Sequence, residues 1–425
     1  MVSNDFFLLL YKAFLIPVCL GSAVFVLLAL LSLLVDRFQG GRAPELKEYP
    51  FITIEVPCYN DPVAVRCVEA CLNFNYPQER YDIMILDDST DKGTARLLED
   101  LAHRHPGRVR FFHRENRSGY KPGALKAWMS HVRGELVVIF DADFLPHRDF
   151  LRHIVQPFED PQVAIVQGRQ GSFLNGRQNL VTRFASYLLS LQHFVLMPIN
   201  HRWNAVFFCG TGGALRRRAI EEVGGWNTNS ITEDSDLSVR LLAKGYKGVY
   251  VPFDTPSEVP VTLRAFLKQQ MRWCFGNTRV FFDHARHILW RGPLTLAQRI
   301  LICFMTIGSL MSPLVIFMTI AGFLCWITGD PFRSFGIENI KDIIFKVFLT
   351  SGFFIMGFVM LKKRGDIAEF PHFLVSASFL GFVLTFALST AVYRAAFRKD
   401  KPLFAQKTSW ICTPKSGNGQ FAPSD

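Results

Sequence analysis

Long apolar runs at both ends and ordinary polarity in the middle divide the chain into distinct regions. The stretch from Phe6 to Val35 holds Lys12 as its only charge, and about 20 apolar residues are enough to cross a bilayer. Three further apolar windows follow Gly292: Ile300–Ile327, Ile343–Leu361 and Phe373–Val392. The chain between the two ends has the composition of a globular domain. The pattern predicts a soluble domain held by transmembrane helices.

Charges beside the apolar runs indicate how the chain is oriented. The first run is too long for the apolar core of a cleaved signal peptide, and Arg37 and Arg42 follow it rather than precede it. We therefore expect a retained N-terminal helix with the soluble domain in the cytosol. Lys362-Lys363-Arg364 and the basic residues from Arg394 onward also favour the cytosolic side. If each of the three C-terminal windows is one span, these two segments cannot both be cytosolic. Either the first window is an interfacial helix plus a span broken near Pro313, or one loop departs from the rule.

These patterns predict five regions. An N-terminal membrane helix covers 1–36, and the soluble domain covers 37–260. Amphipathic interfacial helices cover 261–297, three or four membrane helices cover 298–396, and a polar cytosolic tail covers 397–425.

Within the soluble domain, short β-rich runs alternate with helical segments. The predicted strands are Phe51–Val56, Tyr81–Leu86, Val109–His113 and Glu135–Phe140, and the predicted helices are Val63–Leu72, Thr94–Ala102 and Pro122–His131. Such alternation is typical of an α/β domain with a parallel sheet. Ligands of these sheets bind beyond the carboxyl ends of the strands, so the residues that follow each strand are the candidate site.

Acidic residues follow two of these strands. Asp141 and Asp143 come directly after the fourth strand, where alternate carboxylates can reach one hard cation and leave positions open for phosphate oxygens. Asp87 and Asp88 follow the second strand, and one of them is placed to accept a hydrogen bond from a base imide. The ordinary alternatives are turn formation for the first pair and helix capping for the second.

Four later segments carry further candidate chemistry. Lys121 lies among glycines at a helix start, where exposed backbone amides favour anions. Cys209 and Gly210 lie where a predicted strand runs into a glycine-rich turn, which allows a ligand close to the backbone. Asp234 begins an amphipathic helix and is a candidate general base, although acids are common at helix starts. Arg272 and Trp273 suit a diphosphate and a sugar ring, or an interfacial helix.

The basic balance and the cysteines exclude other classes of protein. The formal net charge is +11, yet the soluble part has no compact Lys/Arg run with interleaved aromatic residues, so no nucleic-acid partner is expected. Basic residues at membrane borders and around a diphosphate account for the excess. The nine cysteines form no CxxC pair, which argues for a reduced domain without a disulfide framework or zinc site.

Six motifs occur in one order: DDS at Asp87, GYKPGAL at Gly119, DAD at Asp141, FFCGT at Phe207, TED at Thr232 and QxxRW from Gln269. From Pro50 to Gly292 the chain thereby resembles the processive family-2 membrane glycosyltransferases of the cellulose synthase and mannan synthase-like group. The resemblance implies a Rossmann-like GT-A domain plus transmembrane α-helices. It also implies an inverting transfer of a hexose from a UDP- or GDP-hexose to a growing β-linked polysaccharide. A single-addition glycolipid synthase shares every motif and is the alternative.

The resemblance also implies roles for individual residues. Those for the nucleotide-sugar are Tyr59, Asp61, Asp87 or Asp88, Lys121, Asp141, Gln269, Arg272 and Trp273. Asp61 stands where relatives often carry Glu. Asp141 and Asp143 would handle Mg²⁺ or Mn²⁺. Cys209 and Gly210 would border the acceptor, and Asp234 would deprotonate it, with Glu233 the neighbouring candidate. The implied partners are a nucleotide-sugar donor, a glycan or lipid acceptor, membrane lipids and accessory export proteins.

Overall fold

A computed structural model describes residues 4–35, 48–329 and 340–397 of the chain. Arg37, Arg42 and the predicted tail beyond Phe397 lie outside these residues. The strands are β1 (Ile52–Cys58), β2 (Tyr81–Asp87), β3 (Val109–His113), β4 (Leu136–Ile139), β5 (Val163–Arg169), β6 (Gly213–Arg216) and β7 (Lys247–Asp254). The helices are α1 (Asn4–Leu34), α2 (Ala64–Leu72), α3 (Lys92–Arg104), α4 (Tyr120–Trp128), α5 (Phe150–Val155), α6 (Leu180–Leu191), α7 (Met197–Arg202), α8 (Arg217–Glu222), α9 (Glu233–Lys244), α10 (Leu263–Leu289), α11 (Leu296–Ile307), α12 (Met311–Thr328), α13 (Ile340–Thr350), α14 (Gly352–Arg364) and α15 (Phe370–Phe397).

One sheet organises the soluble domain, with the strand order β3-β2-β1-β4-β6-β5-β7 among the described residues. The first four strands of that order are parallel, as the alternating pattern predicts. Helices cover the sheet, so β2 and β4 are buried at every position and β1 at six of its seven positions. The carboxyl ends of β1, β2 and β4 therefore point to the same edge of the sheet. The predicted α/β fold class is confirmed.

The second half of the sheet differs from the purely parallel prediction. Strand β6 lies antiparallel between β4 and β5, so the sheet is mixed. The predicted strand at Phe207 is also wrong, since the chain from Phe207 to Gly212 forms a loop and the strand begins after it. Gly210 and Gly212 have φ of +81° and +61°, a conformation that breaks an extended strand.

Four helical segments of the described chain are long and apolar enough to cross a membrane: Asn4–Leu34, Leu180–Arg202, Leu296–Thr328 and Ile367–Phe397. The second of them is largely buried inside the protein. The apolar window at Ile300 is divided by a 3₁₀ turn at Gly308–Leu310, close to Pro313. The window at Ile343 falls on two helices, α13 and α14, which meet at Ser351.

A cluster of ionic and aromatic contacts joins the soluble domain to the C-terminal helices. Arg177 donates to Asp366 at 2.7 Å, and the Tyr187 hydroxyl donates to Glu369 at 2.6 Å. Arg183 forms an ion pair with the same glutamate. Beneath these groups, α6 packs on α10, α14 and α15 in one apolar cluster. The helix that carries Tyr187 is therefore tied to both parts of the molecule.

Candidate active site

A cavity of about 270 Å³ opens at the carboxyl edge of the parallel strands. Its walls come from the loops after β1, β2 and β4, the start of α4, the glycine-rich loop before β6, the start of α9 and one face of α10. The sequence-predicted residues that line it are Tyr59, Asp61, Asp88, Lys121, Asp141, Asp143, Cys209, Gly210, Glu233, Asp234, Gln269, Arg272 and Trp273. Asp87 is the one predicted site residue that does not line the cavity.

Tyr59 and Arg117 form a flat platform at one end of the cavity. The guanidinium carbon of Arg117 lies 3.2 Å from the centre of the Tyr59 ring. The loop is shaped by Asn60, which has φ of +49° and whose side-chain oxygen accepts from the amides of Thr90 and Asp91. Asp61 follows and accepts from the amide of Val63. A planar cation on a ring is the surface on which a nucleobase stacks.

The two acids after β2 occupy different environments. Asp87 ends the strand, is fully buried and accepts from His113 Nδ1 at 2.7 Å and from the Ser89 amide. Asp88 lines the cavity and accepts from Nε and Nη2 of Arg114 at 2.7 and 2.6 Å. Adjacent residues at a strand end point to opposite sides. The geometry thus favours Asp88 over Asp87 as the acid that faces a ligand.

Lys121 links three parts of the cavity wall. Its Nζ donates to Asp141 Oδ1 at 2.6 Å and to the carbonyl of Gly210 at 2.8 Å. Burial alone would lower the pKa of this ammonium, but the charges of Asp141 and Glu233 raise it overall. Close chain packing places it there: a Cβ on Gly123 would lie 2.0 Å from the Ser118 carbonyl oxygen. The first turn of α4 therefore presents a fixed positive charge.

Asp141 and Asp143 supply a pair of oxygen ligands on the cavity wall directly after β4. The Asp141 side chain is 38% exposed towards the cavity, and Asp143 is anchored by an acceptor bond from the Glu258 amide at 3.2 Å. No group of three or more His, Cys, Asp or Glu within the described ranges forms a complete metal site. The pair suits a hard divalent cation that takes its other ligands from a diphosphate and water. The residues thus fit Mg²⁺ or Mn²⁺ bound together with a donor.

Glu233 and Asp234 begin α9 and line the cavity within electrostatic reach of Lys121. Asp234 Oδ1 accepts from the Ser235 amide at 2.8 Å. Burial is the main cause that raises the pKa of both carboxyls, and it brings that of Glu233 to about 7 together with the charge of Asp234. Gly210 faces this acid, since a Cβ there would lie 3.0 Å from Asp234 Oδ2. A buried carboxylate with a raised pKa beside an open space suits a general base.

One face of α10 closes the cavity. Gln269, Arg272 and Trp273 line it, and so does Asn277, one turn further along. Residues spaced by three and four positions share a helix face. The QxxRW motif was predicted from sequence, whereas Asn277 was missed, although the same spacing rule extends the face to it.

A second missed group lies beside Cys209. The helix that starts with α6 continues through a π-helical turn at Gln192–Leu196 into α7. Gln192 and His193 of this turn line the cavity, and Gln192 Nε2 donates to Cys209 Sγ at 3.3 Å. The Nδ1 atom of His193 is buried without a hydrogen-bond partner in the described part of the chain. Burial also raises the pKa of the Cys209 thiol.

The comparisons with known proteins identify the domain. Residues 136–328 match the family model described as glycosyl transferase family group 2. Glucomannan 4-beta-mannosyltransferase 2 of Arabidopsis thaliana is 38% identical over 244 residues, which are 55% of this chain and 45% of that protein. Glucomannan 4-beta-mannosyltransferase 1 of Oryza sativa subsp. japonica is 36% identical over 270 residues, 60% of this chain and 51% of that protein. The chain spans about half the length of the curated relatives it matches.

A solved structure shows the same fold. It is a mannosyltransferase from Pyrobaculum calidifontis in complex with GDP-Man and Mn²⁺, with a TM-score of 0.66 at 19% identity. The similarity covers 92% of this chain and 100% of that chain. The membrane-type helices are therefore included in the likeness, together with the mixed sheet.

Proposed function

Because this chain carries a family 2 glycosyltransferase domain of the cellulose synthase-like group, we propose that it transfers mannosyl residues from GDP-mannose to a growing β-linked, mannan-type polysaccharide. The anomeric configuration inverts in this proposal. The relatives named glucomannan mannosyltransferases support the sugar, and the fold neighbour solved with GDP-Man supports the nucleotide.

The distribution of charge inside the cavity is the observation that carries the proposal. The loops that follow the parallel strands and the start of α4 carry ionic groups and form what we call the nucleotide end: Asp61, Asp88, Arg117, Lys121, Asp141 and Asp143. The loop before β6, the residue after β5 and the helices α6 and α11 with the π-helical turn carry mainly uncharged groups and form the acceptor end: Gln170, Leu189, Gln192, His193, Cys209 and Met305. The other charged residues of the wall are Glu233, Asp234, Glu258 and Arg272. A nucleoside diphosphate needs the first kind of surface and a neutral glycan the second. Asp234 and Trp273 lie on the walls of the same cavity, so donor and acceptor can meet there.

The donor is held by this chain's cations and acids. Tyr59 and Arg117 stack on the base, and a carboxylate at Asp61 or Asp88 accepts from its N–H groups. Lys121 and Arg272 offset the negative charge that develops on the leaving diphosphate, an effect that commonly contributes most to such catalysis. Asp141 and Asp143 would hold Mg²⁺ or Mn²⁺, and the cation, when bound, would supply Lewis-acid stabilisation of the same charge.

The acceptor is activated by Asp234. Its carboxylate takes the proton from the attacking hydroxyl as that oxygen bonds to the anomeric carbon and the bond to the diphosphate breaks. Burial raises the pKa of Asp234 and so its basicity, and the charge of Asp234 in turn helps to raise the pKa of the buried Glu233 beside it. Trp273 covers the sugar and excludes water, which would otherwise compete with the acceptor.

The test is to incubate protein purified in lipid nanodiscs with a panel of GDP- and UDP-hexoses and to size and sequence the products. We expect GDP-mannose to give a β-mannan ladder, and Asp234→Asn, the matched control, to give none. Turnover of UDP-glucose but not of GDP-mannose would overturn the assignment of GDP-mannose as the donor. A single mannose added to lipid would instead support the glycolipid alternative.

The proposal places the catalytic domain of a multi-pass membrane protein in the cytosol, where nucleotide-sugars are made. Cys58, Cys67 and Cys71 are buried, so they cannot report the side of the domain. A cysteine placed at the exposed Glu99 of α3 should react with an impermeant maleimide only after the membrane is permeabilised, and the parent chain supplies the background. Labelling of that cysteine on intact cells would reverse the topology.

A further inference from the structure

Two buried polar atoms at the junction of α9 and α10 take no part in the donor binding and catalysis described so far. They are Oγ1 of Thr232 and Oδ1 of Asn277. Both are buried, and neither has a hydrogen-bond partner within residues 4–35, 48–329 and 340–397. Both residues line the cavity. Thr232 occupies the N-cap position of α9, but its side chain makes no capping bond, so its hydroxyl has no structural task there.

Close helix packing brings Thr232 against α10 at the residue that precedes Asn277. A Cβ on Gly276 would lie 2.5 Å from Cγ2 and 2.6 Å from Oγ1 of Thr232. Only glycine allows α10 to pass so near the start of α9, and Asn277 is the next residue. Asn277 also lies four residues after Trp273, on the face of α10 that lines the cavity.

The chemistry of the two atoms selects the group that binds between them. A carboxamide oxygen accepts hydrogen bonds only, whereas a threonine hydroxyl both donates and accepts. A sugar hydroxyl can therefore donate to Asn277, and it can either donate to Thr232 or accept from it. A phosphate oxygen at neutral pH cannot donate to Asn277. The pair thus suits a neutral, hydroxylated ligand and not the diphosphate.

The position of the pair selects the acceptor over the donor. Thr232 is two residues before Asp234, which faces Gly210, and the cavity wall continues beyond Asn277 to Met305 of α11. Of the ionic groups assigned to the nucleotide, Arg272 shares this face of α10, whereas the others follow the parallel strands or begin α4. We propose that Thr232 and Asn277 bind a hydroxyl of the acceptor sugar next to the one that Asp234 deprotonates. The inference rests on the proposed function and adds two binding residues to it.

The experiment compares Asn277→Ala, Thr232→Val and the double variant in nanodiscs, with GDP-mannose as donor and β-1,4-mannotetraose as acceptor. Loss of one hydrogen bond should raise the acceptor KM about threefold to tenfold in each single variant, while the Kd for GDP-mannose stays unchanged. Because both side chains bind one hydroxyl, the double variant should show less than the product of the two effects. Thr278→Val is the matched control, since Thr278 is fully buried beside Asn277 and does not line the cavity.

Acceptor mannobiosides that each lack one hydroxyl identify the bound group. For the mannobioside that lacks the hydroxyl bound by Asn277, the parent enzyme and Asn277→Ala should have the same KM, because the hydrogen bond to Asn277 is already missing. An unchanged acceptor KM in both single variants, or a rise in the Kd for GDP-mannose instead, would overturn the inference. A parent enzyme that transfers no mannose would overturn the proposed function, a result that this assay separates from the first.

Discussion

In the proposed function, the two ends of the cavity recognise their ligands by different physics. At the nucleotide end, Lys121, Asp141 and the stacked Arg117 present fixed charges. At the acceptor end, Gln192, His193 and Asn277 present neutral amide and imidazole groups, two of them with buried atoms that lack partners among the residues described. Charges act at a distance and are screened by salt, whereas neutral groups act only at hydrogen-bond distance. The nucleotide end is thus suited to capture and the acceptor end to discrimination.

Metal removal tests the nucleotide end most severely. Transfer should fall to background in EDTA and return with Mn²⁺ or Mg²⁺, because Asp141 and Asp143 leave most coordination positions to the diphosphate. Asp143→Asn should abolish turnover in a protein that still folds, as judged by its thermal midpoint. Full activity in chelator would contradict the assignment of Asp141 and Asp143 to a divalent cation. Lys121 and Arg272 would then be the groups that offset the negative charge of the leaving diphosphate.

Asp234→Asn should separate the acceptor end from the nucleotide end. The catalytic rate should fall by about 10²–10⁴, the usual effect of general-base removal, while the Kd for GDP-mannose stays near that of the parent. Single-turnover rates beside a donor titration measure both quantities. Asp236→Asn is the control, because Asp236 accepts from Arg240 and His284 and stabilises α9 instead. If Asp234→Asn binds donor poorly but transfers normally at saturation, the base lies elsewhere.

A pair of matched substitutions compares the two ends directly. Arg117→Ala should raise the KM for GDP-mannose about tenfold through the loss of its stacked cation, and the remaining KM should depend less on salt. Gln192→Ala should raise the KM for mannotetraose about threefold through one lost hydrogen bond, without a change in salt dependence. Steady-state kinetics at two ionic strengths provide the measurement. If the KM values for GDP-mannose and mannotetraose depend equally on salt, the two ends do not differ in how they bind.

Substitution of Glu55 should have the smallest effect on activity of the changes considered and a clear effect on stability. It lies in β1, fully buried, and neither carboxylate oxygen has a partner in the described chain. Burial raises its pKa to about 8, against the opposing charge of Lys121. The folded protein holds a proton that the unfolded chain releases near pH 4.5, so this residue makes stability fall as the pH rises towards about 8.

Glu55→Gln should therefore raise the thermal midpoint at pH 8 and leave it almost unchanged at pH 4.5. The exposed Glu99→Gln is the control and should change neither value. A parallel loss of stability with pH in the parent and Glu55→Gln would show that another group is responsible.

Sequence patterns predicted the cavity wall better at the ends of the parallel strands than at the π-helical turn and the junction of α9 and α10, for physical reasons. Parallel strands align their carboxyl ends, so Asp88 and Asp141 could be brought together from the order of strands alone. The sequence did not decide whether Asp87 or Asp88 faces the cavity, because that depends on how side chains alternate at the end of β2. His113 decides it by binding Asp87 inside the fold.

The features that escaped prediction have weak local signals. Strand β6 has four residues and follows two glycines with positive φ, too short to show a period. The π-helical turn has the same apolar content as the α-helix around it. Thr232 was recognised as part of a motif, but its hydroxyl was assigned no role, because only the folded structure shows that Thr232 lines the cavity with a hydroxyl unpaired among the described residues.

The π-helical turn at Gln192–Leu196 has a consequence for how such enzymes diverge. A turn of this kind holds one residue more than an α-helical turn, so deleting a single residue would restore a regular helix and change which side chains of the turn face the cavity. Gln192 and His193 would no longer share the cavity wall. Acceptor preference is then sensitive to a one-residue change in length, which an alignment records as a gap. We expect that a gap at this turn separates relatives with different acceptors even where all six motifs are identical.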